Sequence, residues 1–275
     1  MLSYQVLSFI VSYIHWNVNP DIYTIPGLDW PIRWYGMMWA LGLIISQQVM
    51  YHIFNKEGRP IKDVDTLTLY TVIATLVGAR LGHFLFYDPS VFITDPLQII
   101  KPPYAGLASH GAAIGILIGL YFFCRKQKYN YLWMVDRLVI VVCITGGFIR
   151  FGNLLNSEIP GKATTVPWAF IFERMDNIPR HPAQLYEAIY CFLLFAFLFY
   201  IWKNKRNEVK NGFIFGVFLV VLWSLRFIDE FFKEVQEPFE EGLMLNMGQI
   251  LSIPLVIVGV IILLRTRKQT KSALQ

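Results

Sequence analysis

The chain has 275 residues, of which 55% are apolar or aromatic and only 16% are charged, and its mean hydropathy is +0.47. A soluble domain usually carries about 25% charged residues. This composition therefore excludes intrinsic disorder, collagen, coiled coils and disulfide-rich secreted domains, and it leaves an integral membrane protein. The net charge of +5 is no indication of nucleic-acid binding by itself, because its meaning depends on where the basic residues lie.

The first apolar stretch, Val6 to Ile14, is too short to cross a bilayer. It lacks the basic start and the small-residue cleavage site of a signal peptide, and we expect it to lie at the membrane interface with Tyr13 and Trp16 as anchors. Seven longer apolar segments follow, and in lipid segments of this length satisfy their backbone groups only as helices. They lie at about 33–54, 64–87, 109–124, 132–151, 183–202, 212–232 and 246–264. The sequence therefore predicts an all-α polytopic membrane protein with seven transmembrane helices.

Basic residues alternate between the connections that join these segments. Of the 24 Lys and Arg residues, fourteen lie on every second loop and in the C-terminal tail, namely Lys56, Arg59, Lys62, Arg125, Lys126, Lys128, Lys203, Lys205, Arg206, Lys210, Arg265, Arg267, Lys268 and Lys271. Because loops rich in Lys and Arg stay in the cytoplasm, this pattern predicts an N-terminus outside and a C-terminus inside. The two longest connections, 88–108 and 152–182, then lie outside, where long loops usually carry function.

Polar and ionisable residues gather at the outer ends of the predicted helices. They are Tyr35, Arg80, His110, Arg150, Asn153, Asn156, Glu158, Arg180, His181, Gln184, Glu187, Arg226, Asp229, Glu230 and Gln249. Charges at membrane depth are costly and usually functional. Snorkelling to the headgroups accounts for Arg33, Arg137 and Lys233, but snorkelling alone should populate both faces of the membrane. We therefore predict a polar cavity that opens to the outer leaflet.

Other notable residues have structural interpretations. The glycine pairs 78/82 and 115/119 have the small-xxx-small spacing of closely packed membrane helices, and Cys124, Cys143 and Cys191 lie in apolar runs where they act as small hydrophobic residues. His181 directly before a proline is typical of a helix start. The pair Asp136 and Arg137 is the main charged exception at the cytoplasmic end.

The residue types at the outer ends indicate which chemistry the cavity supports. The five scattered His residues and the lack of an HExxH motif argue against zinc, and the lack of GxSxG argues against serine hydrolysis. Arg150, Arg226 and Arg80 offer planar forks for phosphate oxygens, and His110 suits acid–base chemistry near neutral pH. These residues favour an enzyme that acts on a phospholipid headgroup from the outer leaflet.

Two other classes of membrane protein remain as alternatives to an enzyme. A transporter or flippase for an anionic lipid would use the same arginines without histidine chemistry, although the inverted repeats and broken helices typical of transporters are not visible in the sequence. A seven-span receptor would explain the number of segments but not the charged cluster.

The stretch from Gly147 to Gly161, GFIRFGNLLNSEIPG, closely resembles the signature of the prolipoprotein diacylglyceryl transferases, G-x-x-R-x-G-N-x-x-N-x-E-x-x-G. Further strings follow in the order of that family, and the similarity covers about residues 17–265. They are WYG at 34–36, GARLG at 78–82, SHG at 109–111, RHPAQLYE at 180–187, RFIDEF at 226–231 and MGQILSIP at 247–254. The departures are small, since Ser109, Ala112 and Ala183 stand where the family usually has Phe, Gly and Ser.

The resemblance implies a specific reaction, the first step of bacterial lipoprotein biosynthesis. Such enzymes transfer the diacylglyceryl group of phosphatidylglycerol to the thiol of the lipobox cysteine in the signal peptide of a prolipoprotein, a protein modification that forms a thioether and releases glycerol 1-phosphate. The resemblance further implies a multi-pass protein of the bacterial cell inner membrane that acts as a monomer, with its active site facing the outer leaflet and without cofactor, metal or nucleic acid. We expect one membrane-embedded transferase domain over 1–275 that includes a periplasmic head segment at 152–182.

The resemblance also implies a role for each matching residue. The catalytic set is His110, Arg226, Glu230 and Tyr35; the phosphatidylglycerol-binding set is Arg150, Asn153, Asn156, Glu158, Gly161 and Arg80; and the supporting set is Arg180, Gln184, Glu187 and Gln249. The attacking group must be a thiolate, which His110 could generate. The departing phosphate needs positive charge, and Glu230, one helical turn after Arg226, is spaced to orient that guanidinium.

Overall fold

The computed structural model describes residues 13–27, 29–101, 106, 108–234 and 244–272. Each of the seven predicted segments contains one long helix. These are α1 (Trp34–Lys56), α2 (Lys62–Tyr87), α4 (Ser109–Gln127), α5 (Tyr131–Leu155), α6 (Ala183–Lys205), α7 (Phe213–Asp229) and α8 (Met247–Ser272), with a short α3 (Val91–Thr94) and a 3-10 turn (Pro96–Ile99) between α2 and α4. Five of them, α1, α2, α5, α6 and α8, are long and apolar enough to cross a membrane. This confirms a helical multi-pass membrane protein, whereas seven spans and the outside position of the N-terminus stay predictions.

Five short strands accompany the helices, and the sequence analysis did not predict them. They are β1 (Ile14–Trp16), β2 (Asp21–Ile25), β3 (Trp30–Arg33), β4 (Phe170–Phe172) and β5 (Pro179–Arg180). Strand β1 pairs in parallel with β4, which pairs antiparallel with β5, and β2 and β3 form a separate hairpin. The connection between α5 and α6 is therefore a folded segment that includes two strands of a three-stranded sheet. Because α5 continues to Leu155, the predicted head segment of 152–182 is narrowed to residues 156–182, and the name head segment refers to these residues below.

Trp16 contacts the end of α5 and the head segment, and its role as an interface anchor stays a prediction. Its indole Nε1 donates to the Leu154 carbonyl at 3.0 Å, and its ring lies 5.4 Å from the Phe170 ring. The pairing of β1 with β4 turns this side chain onto the head segment, where a buried indole finds a hydrogen-bond partner. Most of the predicted interfacial stretch, residues 6–12, lies outside the described residues.

Helix α1 packs antiparallel to α5, and α2 packs antiparallel to α4, so that their ends meet, whereas α5 and α7 run parallel to each other. Gly42 of α1 lies against Thr145 of α5, and a Cβ atom added at Gly78 of α2 would lie 2.4 Å from the Gly111 carbonyl of α4. This confirms the predicted close packing through small residues. One end of the bundle, here called the head end, thus collects the first residues of α1, α4, α6 and α8 and the last residues of α2, α5 and α7.

The opposite end of the bundle is joined by buried ion pairs. Glu57 at the end of α1 accepts hydrogen bonds from Arg137 Nε and Nη2 at 3.1 and 3.0 Å and from the Trp133 and Trp202 indoles at 3.0 and 2.5 Å. Asp136 accepts from two backbone N–H groups at the start of α7, at 2.7 and 2.8 Å. The predicted snorkelling of Arg137 is wrong, because a buried carboxylate supplies the partner that lipid headgroups would otherwise supply.

Candidate active site at the head end

Glu187 in α6 is a buried carboxylate that joins three cations. Its Oε2 atom lies 2.7 Å from Arg150 Nε of α5 and 3.9 Å from Arg226 Nη1 of α7, and its Oε1 atom lies 2.5 Å from Lys233 Nζ. Helix α6 runs antiparallel to both α5 and α7, and this packing brings these residues together, although up to 83 positions separate them in the chain. Glu187, predicted as a supporting residue, is thus the centre of the cluster.

Glu230 forms the second part of this cluster, directly after α7. Its Oε1 atom lies 3.2 Å from Arg226 Nη2 and 3.3 Å from Lys233 Nζ, which is the contact that the spacing of Arg226 and Glu230 predicts. Asn246 Nδ2 donates to Glu230 Oε2 at 3.1 Å just before α8 begins. Asp229 Oδ2 lies 3.6 Å from Lys233 Nζ.

Burial divides the charged groups of the cluster into two layers. Arg150 and Arg226 keep 23% and 29% of their side-chain surface exposed. The other four side chains are 9% exposed or less, and they are Glu187, Asp229, Glu230 and Lys233. The acids therefore hold the two guanidiniums from behind and leave a cationic surface in front. A guanidinium held in this way can offer its planar fork to a phosphate.

The signature segment begins in the last turns of α5 and ends in a turn that follows this helix from Asn156. Asn153 Nδ2 and Asn156 Nδ2 donate to the two carboxylate oxygens of Glu158 at 2.9 and 3.0 Å, and the Gln184 amide donates to the Glu158 carbonyl. The two asparagine amides thus contact the exposed Glu158 carboxylate, and their binding of phosphatidylglycerol stays a prediction.

Gly161 ends the signature at a position without room for a side chain. A Cβ atom there would lie 2.6 Å from both the His181 Cβ atom and the Phe232 carbonyl oxygen. Its backbone N–H donates to the His181 carbonyl at 2.8 Å. The glycine therefore permits a close approach of three backbone segments, and its contact with the lipid stays a prediction.

A cavity of about 460 Å³ lies between α1, α2, α4 and α5. It extends from Tyr35 at the start of α1 to Met50 near its other end. Three of its hydroxyl-bearing residues, Ser46, Thr71 and Thr75, donate to helix carbonyls at 2.6–3.0 Å. Because these polar atoms are satisfied within the helices, the cavity is apolar and suits a hydrocarbon chain.

His110 lies apart from the arginine cluster. The exposed residue lies on α4 one turn before exposed Ile114, with its Nε2 atom 3.5 Å from the Tyr87 hydroxyl and its ring 5.8 Å from that of Phe86. Across the described ranges no contact joins it to Arg150 or Arg226. Its neighbour Ser109 lines the head end of the apolar cavity, so His110 flanks the rim of that cavity.

Arg80 fixes the connection between α2 and α4. Its Nε and Nη2 atoms donate to the carbonyls of Ile99 and Gln98, each at 3.0 Å, and its guanidinium lies 4.6 Å from the centre of the Phe84 ring. Arg80 thus lies in α2 with its guanidinium turned onto the connection between α2 and α4, and 8% of its surface is exposed.

Arg180 and Gln249 support the site from outside the cluster. Arg180 contacts Glu234 and places Nη2 2.6 Å from Asp176 Oδ2. Its guanidinium holds the pKa of Asp176 below the ordinary value, chiefly through this hydrogen bond, and the same bond raises the pKa of Arg180. Gln249 Oε1 accepts from the Asn246 backbone N–H at 3.2 Å, and so holds the residue that contacts Glu230.

Comparison with known proteins decides the family. The family model described as prolipoprotein diacylglyceryl transferase matches residues 21–265. The chain belongs to the prolipoprotein diacylglyceryl transferase family. The phosphatidylglycerol–prolipoprotein diacylglyceryl transferase of Bacteroides fragilis is 44% identical over 259 residues, which cover 90% of this chain and 93% of the relative. The proteins of the same name from Chloroherpeton thalassium and Tolumonas auensis are 42% and 40% identical and cover 94% and 93% of this chain and 97% and 98% of their own lengths.

Membership of this family confirms the predicted transferase and the resemblance that the signature indicates.

Lys233 is a member of the transferase's charged cluster that the sequence analysis missed. Its prediction as a snorkelling residue is wrong, because its side chain is 2% exposed and contacts three carboxylates. Its spacing offered a signal, since Lys233 follows Glu230 by three positions and Arg226 by seven, the spacing of one helix face.

Proposed function

We propose that this chain transfers the diacylglyceryl group of phosphatidylglycerol to the lipobox cysteine thiol of a prolipoprotein, with a thioether and glycerol 1-phosphate as products. The names of its relatives contain the donor and the class of acceptor. The observation that carries the proposal is the pair of partly exposed guanidiniums, Arg150 and Arg226, held by the buried carboxylate of Glu187. A permanently cationic surface of this kind suits an anionic headgroup.

In this reaction the thiolate sulfur forms a bond to the terminal glyceryl carbon of the donor while the bond from that carbon to the phosphate oxygen breaks. The electron pair leaves with the phosphate, whose negative charge increases. Arg150 and Arg226 stabilise that charge where it develops. Glu187 and Glu230 orient the two guanidiniums, and Tyr35, which lines the adjoining cavity, offers its hydroxyl to the ester region.

Hydrocarbon and headgroup have separate places in this proposal. The apolar cavity between α1, α2, α4 and α5 takes a donor acyl chain, because the hydroxyl groups of Ser46, Thr71 and Thr75 along it already donate to helix carbonyls. Ile149 lines this cavity directly before Arg150, so the headgroup of a lipid bound there reaches the guanidiniums. Because both substrates reside in the membrane, we propose that they enter from the lipid.

His110 is the proposed acceptor of the thiol proton. Its exposed position on the lipid-facing side of α4 suits a thiol that arrives on a membrane-inserted signal peptide rather than from water. An imidazole is the side chain that most often accepts a proton in general acid–base catalysis. The Tyr87 hydroxyl, 3.5 Å from Nε2, would orient the ring.

We also propose the membrane arrangement that the basic loops predict. Helices α4 and α7 complete seven spans, the N-terminus and the head segment lie in the periplasm, and the active site faces the outer leaflet of the bacterial inner membrane. The Lys and Arg residues on the loops of the opposite end support this orientation. We propose that the transferase acts as a monomer, because one chain contributes all charged groups of the cluster.

A direct test incubates the purified protein with phosphatidylglycerol and a lipobox peptide and measures the peptide mass. We expect a mass gain of one diacylglyceryl group, dependent on the anionic donor and absent for a peptide with serine in place of the lipobox cysteine. Reversible binding of phosphatidylglycerol without a mass gain in any detergent would contradict the proposal.

A further inference from the structure

Lys233 is the cation of the cluster to which the proposed reaction gives no role. Its ammonium group lies 2.5 Å from Glu187, 3.3 Å from Glu230 and 3.6 Å from Asp229, and 2% of its side chain is exposed. A buried ammonium is costly unless it is paired. Its burial next to three carboxylates therefore calls for a functional explanation.

The head segment holds Lys233 in this place. The backbone N–H of Lys162 donates to the Phe232 carbonyl at 2.7 Å, and Gly161 and Lys233 form an antiparallel bridge. The Lys162 ammonium also donates to the Phe231 carbonyl at 3.0 Å. These contacts shape the chain after α7 so that the Lys233 side chain returns to the cluster instead of reaching the membrane surface.

The charge of the cluster depends on this lysine. Three cations face three carboxylates, and the six side chains are Arg150, Arg226, Lys233, Glu187, Asp229 and Glu230. Without Lys233, two guanidiniums would face three carboxyl groups. Two unit charges 4 Å apart interact by about 4 kcal/mol at an effective dielectric constant of 20, so an uncompensated carboxylate would oppose the binding of a phosphate.

We propose that Lys233 is a positioning residue that sets the affinity for the anionic donor by neutralising the carboxylates behind Arg150 and Arg226, and that Asp229 is its counter-charge. Asp229 forms an ion pair with Lys233, and among the described residues it forms none with either arginine. Its charge can therefore be removed without loss of an arginine contact. This inference rests on the proposed function of the cluster as the site of the donor phosphate.

Three substitutions and one combination test the charge balance. Lys233→Met removes the charge at similar length and should raise the KM for phosphatidylglycerol on the order of tenfold or more, with a smaller change in kcat. Lys233→Arg should retain most of the affinity. Asp229→Asn should lower the KM. The combination of Lys233→Met with Asp229→Asn restores the balance and should recover most of the lost affinity, which a merely structural role for Lys233 would not produce.

Asp21→Asn is the matched control, because it removes a carboxylate from an exposed ion pair with Arg33 before α1 and should leave the KM unchanged.

Calorimetric titration with short-chain phosphatidylglycerol separates this inference from the proposed function. A wild-type chain that binds this lipid without transfer contradicts the function, while the order of affinities among the variants still tests the charge balance.

Two results would overturn the proposed role of Lys233, provided that the variants keep the unfolding midpoint of the wild type. One is a double variant that binds no better than Lys233→Met, and the other is an Asp229→Asn variant that binds no better than wild type. If Lys233→Met does not fold, the Asp229→Asn and Lys233→Arg variants decide in the same way.

Discussion

The two ends of the helix bundle both hold arginine against a buried carboxylate, but they differ in how much of the guanidinium stays accessible. At the opposite end, Arg137 is 6% exposed and gives Nε and Nη2 to Glu57. At the head end, Arg150 and Arg226 share Glu187 and remain 23% and 29% exposed. The first arrangement leaves no surface for a ligand, whereas the second presents a cationic face with its counter-charge behind it.

This difference separates a structural ion pair from a candidate binding site more clearly than the presence of charge in a membrane helix does. The arginines of both ends stand out in the sequence for the same reason, which is that charge at membrane depth is costly. Only the structure shows that Glu57 also accepts from the Trp133 and Trp202 indoles and therefore completes a closed network.

Loss of the carboxylate at the opposite end should have the largest effect on stability. Glu57→Ala leaves the Arg137 guanidinium buried without its main partner, and breaking a buried pair in this way costs about 3–5 kcal/mol. We expect a lower thermal unfolding midpoint in detergent and an unchanged activity per folded molecule. Glu208→Ala, at an exposed position, is the control, and an unaltered midpoint for Glu57→Ala would show that the network is dispensable.

Loss of an arginine at the head end should instead abolish transfer from a folded protein. Removal of one preorganised group that stabilises developing charge typically costs about 2.7–4 kcal/mol, so Arg150→Ala and Arg226→Ala should each slow transfer by roughly 10²–10³-fold. Lysine should rescue poorly, because it lacks the bidentate fork. Arg174→Ala, at an exposed position of the head segment, should transfer normally. Near-normal turnover of either cluster variant would contradict the proposal that this arginine stabilises the departing phosphate.

His110 extends the comparison to a third position, because it belongs to neither ion-pair network. A role as proton acceptor requires that His110→Gln slow transfer on the order of 10²-fold at neutral pH. Activity should recover in part at alkaline pH, where the cysteine thiol ionises unaided near its pKa of about 8.5. Binding of phosphatidylglycerol should stay unchanged. Weakened lipid binding without alkaline recovery would assign His110 to substrate positioning instead.

The sequence was sufficient for the helices but not for the strands. The seven helical segments are long and apolar, and that pattern is the strongest signal a sequence contains. Strands β1 and β4 are three residues long and pair across more than 150 positions. Strands so short contain no alternation that a sequence can display, and their pairing depends on the folding of the head segment.

The sequence predicted the site residues that lie at the same depth in the membrane, but not the residue whose position depends on a local backbone contact. The signature and the outer position of the charges identify Arg150, Glu187 and Arg226. The role of Lys233 was missed, because a lysine near a helix end usually snorkels and only the contact between Lys162 and Phe232 redirects it. Local contacts of this kind depend on backbone geometry that residue types alone do not specify.

Gly161 tests whether the head segment positions the cluster. A methyl group at this position would lie 2.6 Å from both the His181 Cβ atom and the Phe232 carbonyl oxygen, and overpacking of this kind costs about 1–3 kcal/mol. We expect Gly161→Ala to lower the unfolding midpoint and to weaken transfer by displacing Lys233. The control is Gly36→Ala, because a Cβ atom at Gly36 would meet no atom within 4 Å.

The smallest expected effect concerns the ion pair between Asp176 and Arg180, which lies in the head segment and resembles neither buried network. Arg180 lowers the pKa of Asp176 in the folded state, so the pair stabilises the fold above the ordinary aspartate pKa of about 3.9. That contribution disappears as the pH falls through the lowered pKa, when the carboxylate becomes protonated in both states. Exposed pairs contribute about 0.2–1 kcal/mol and are screened by salt. Asp176→Asn should therefore lower the unfolding midpoint slightly at pH 7 and progressively less below about pH 4. A difference between wild type and variant that grows towards acid pH would contradict this assignment.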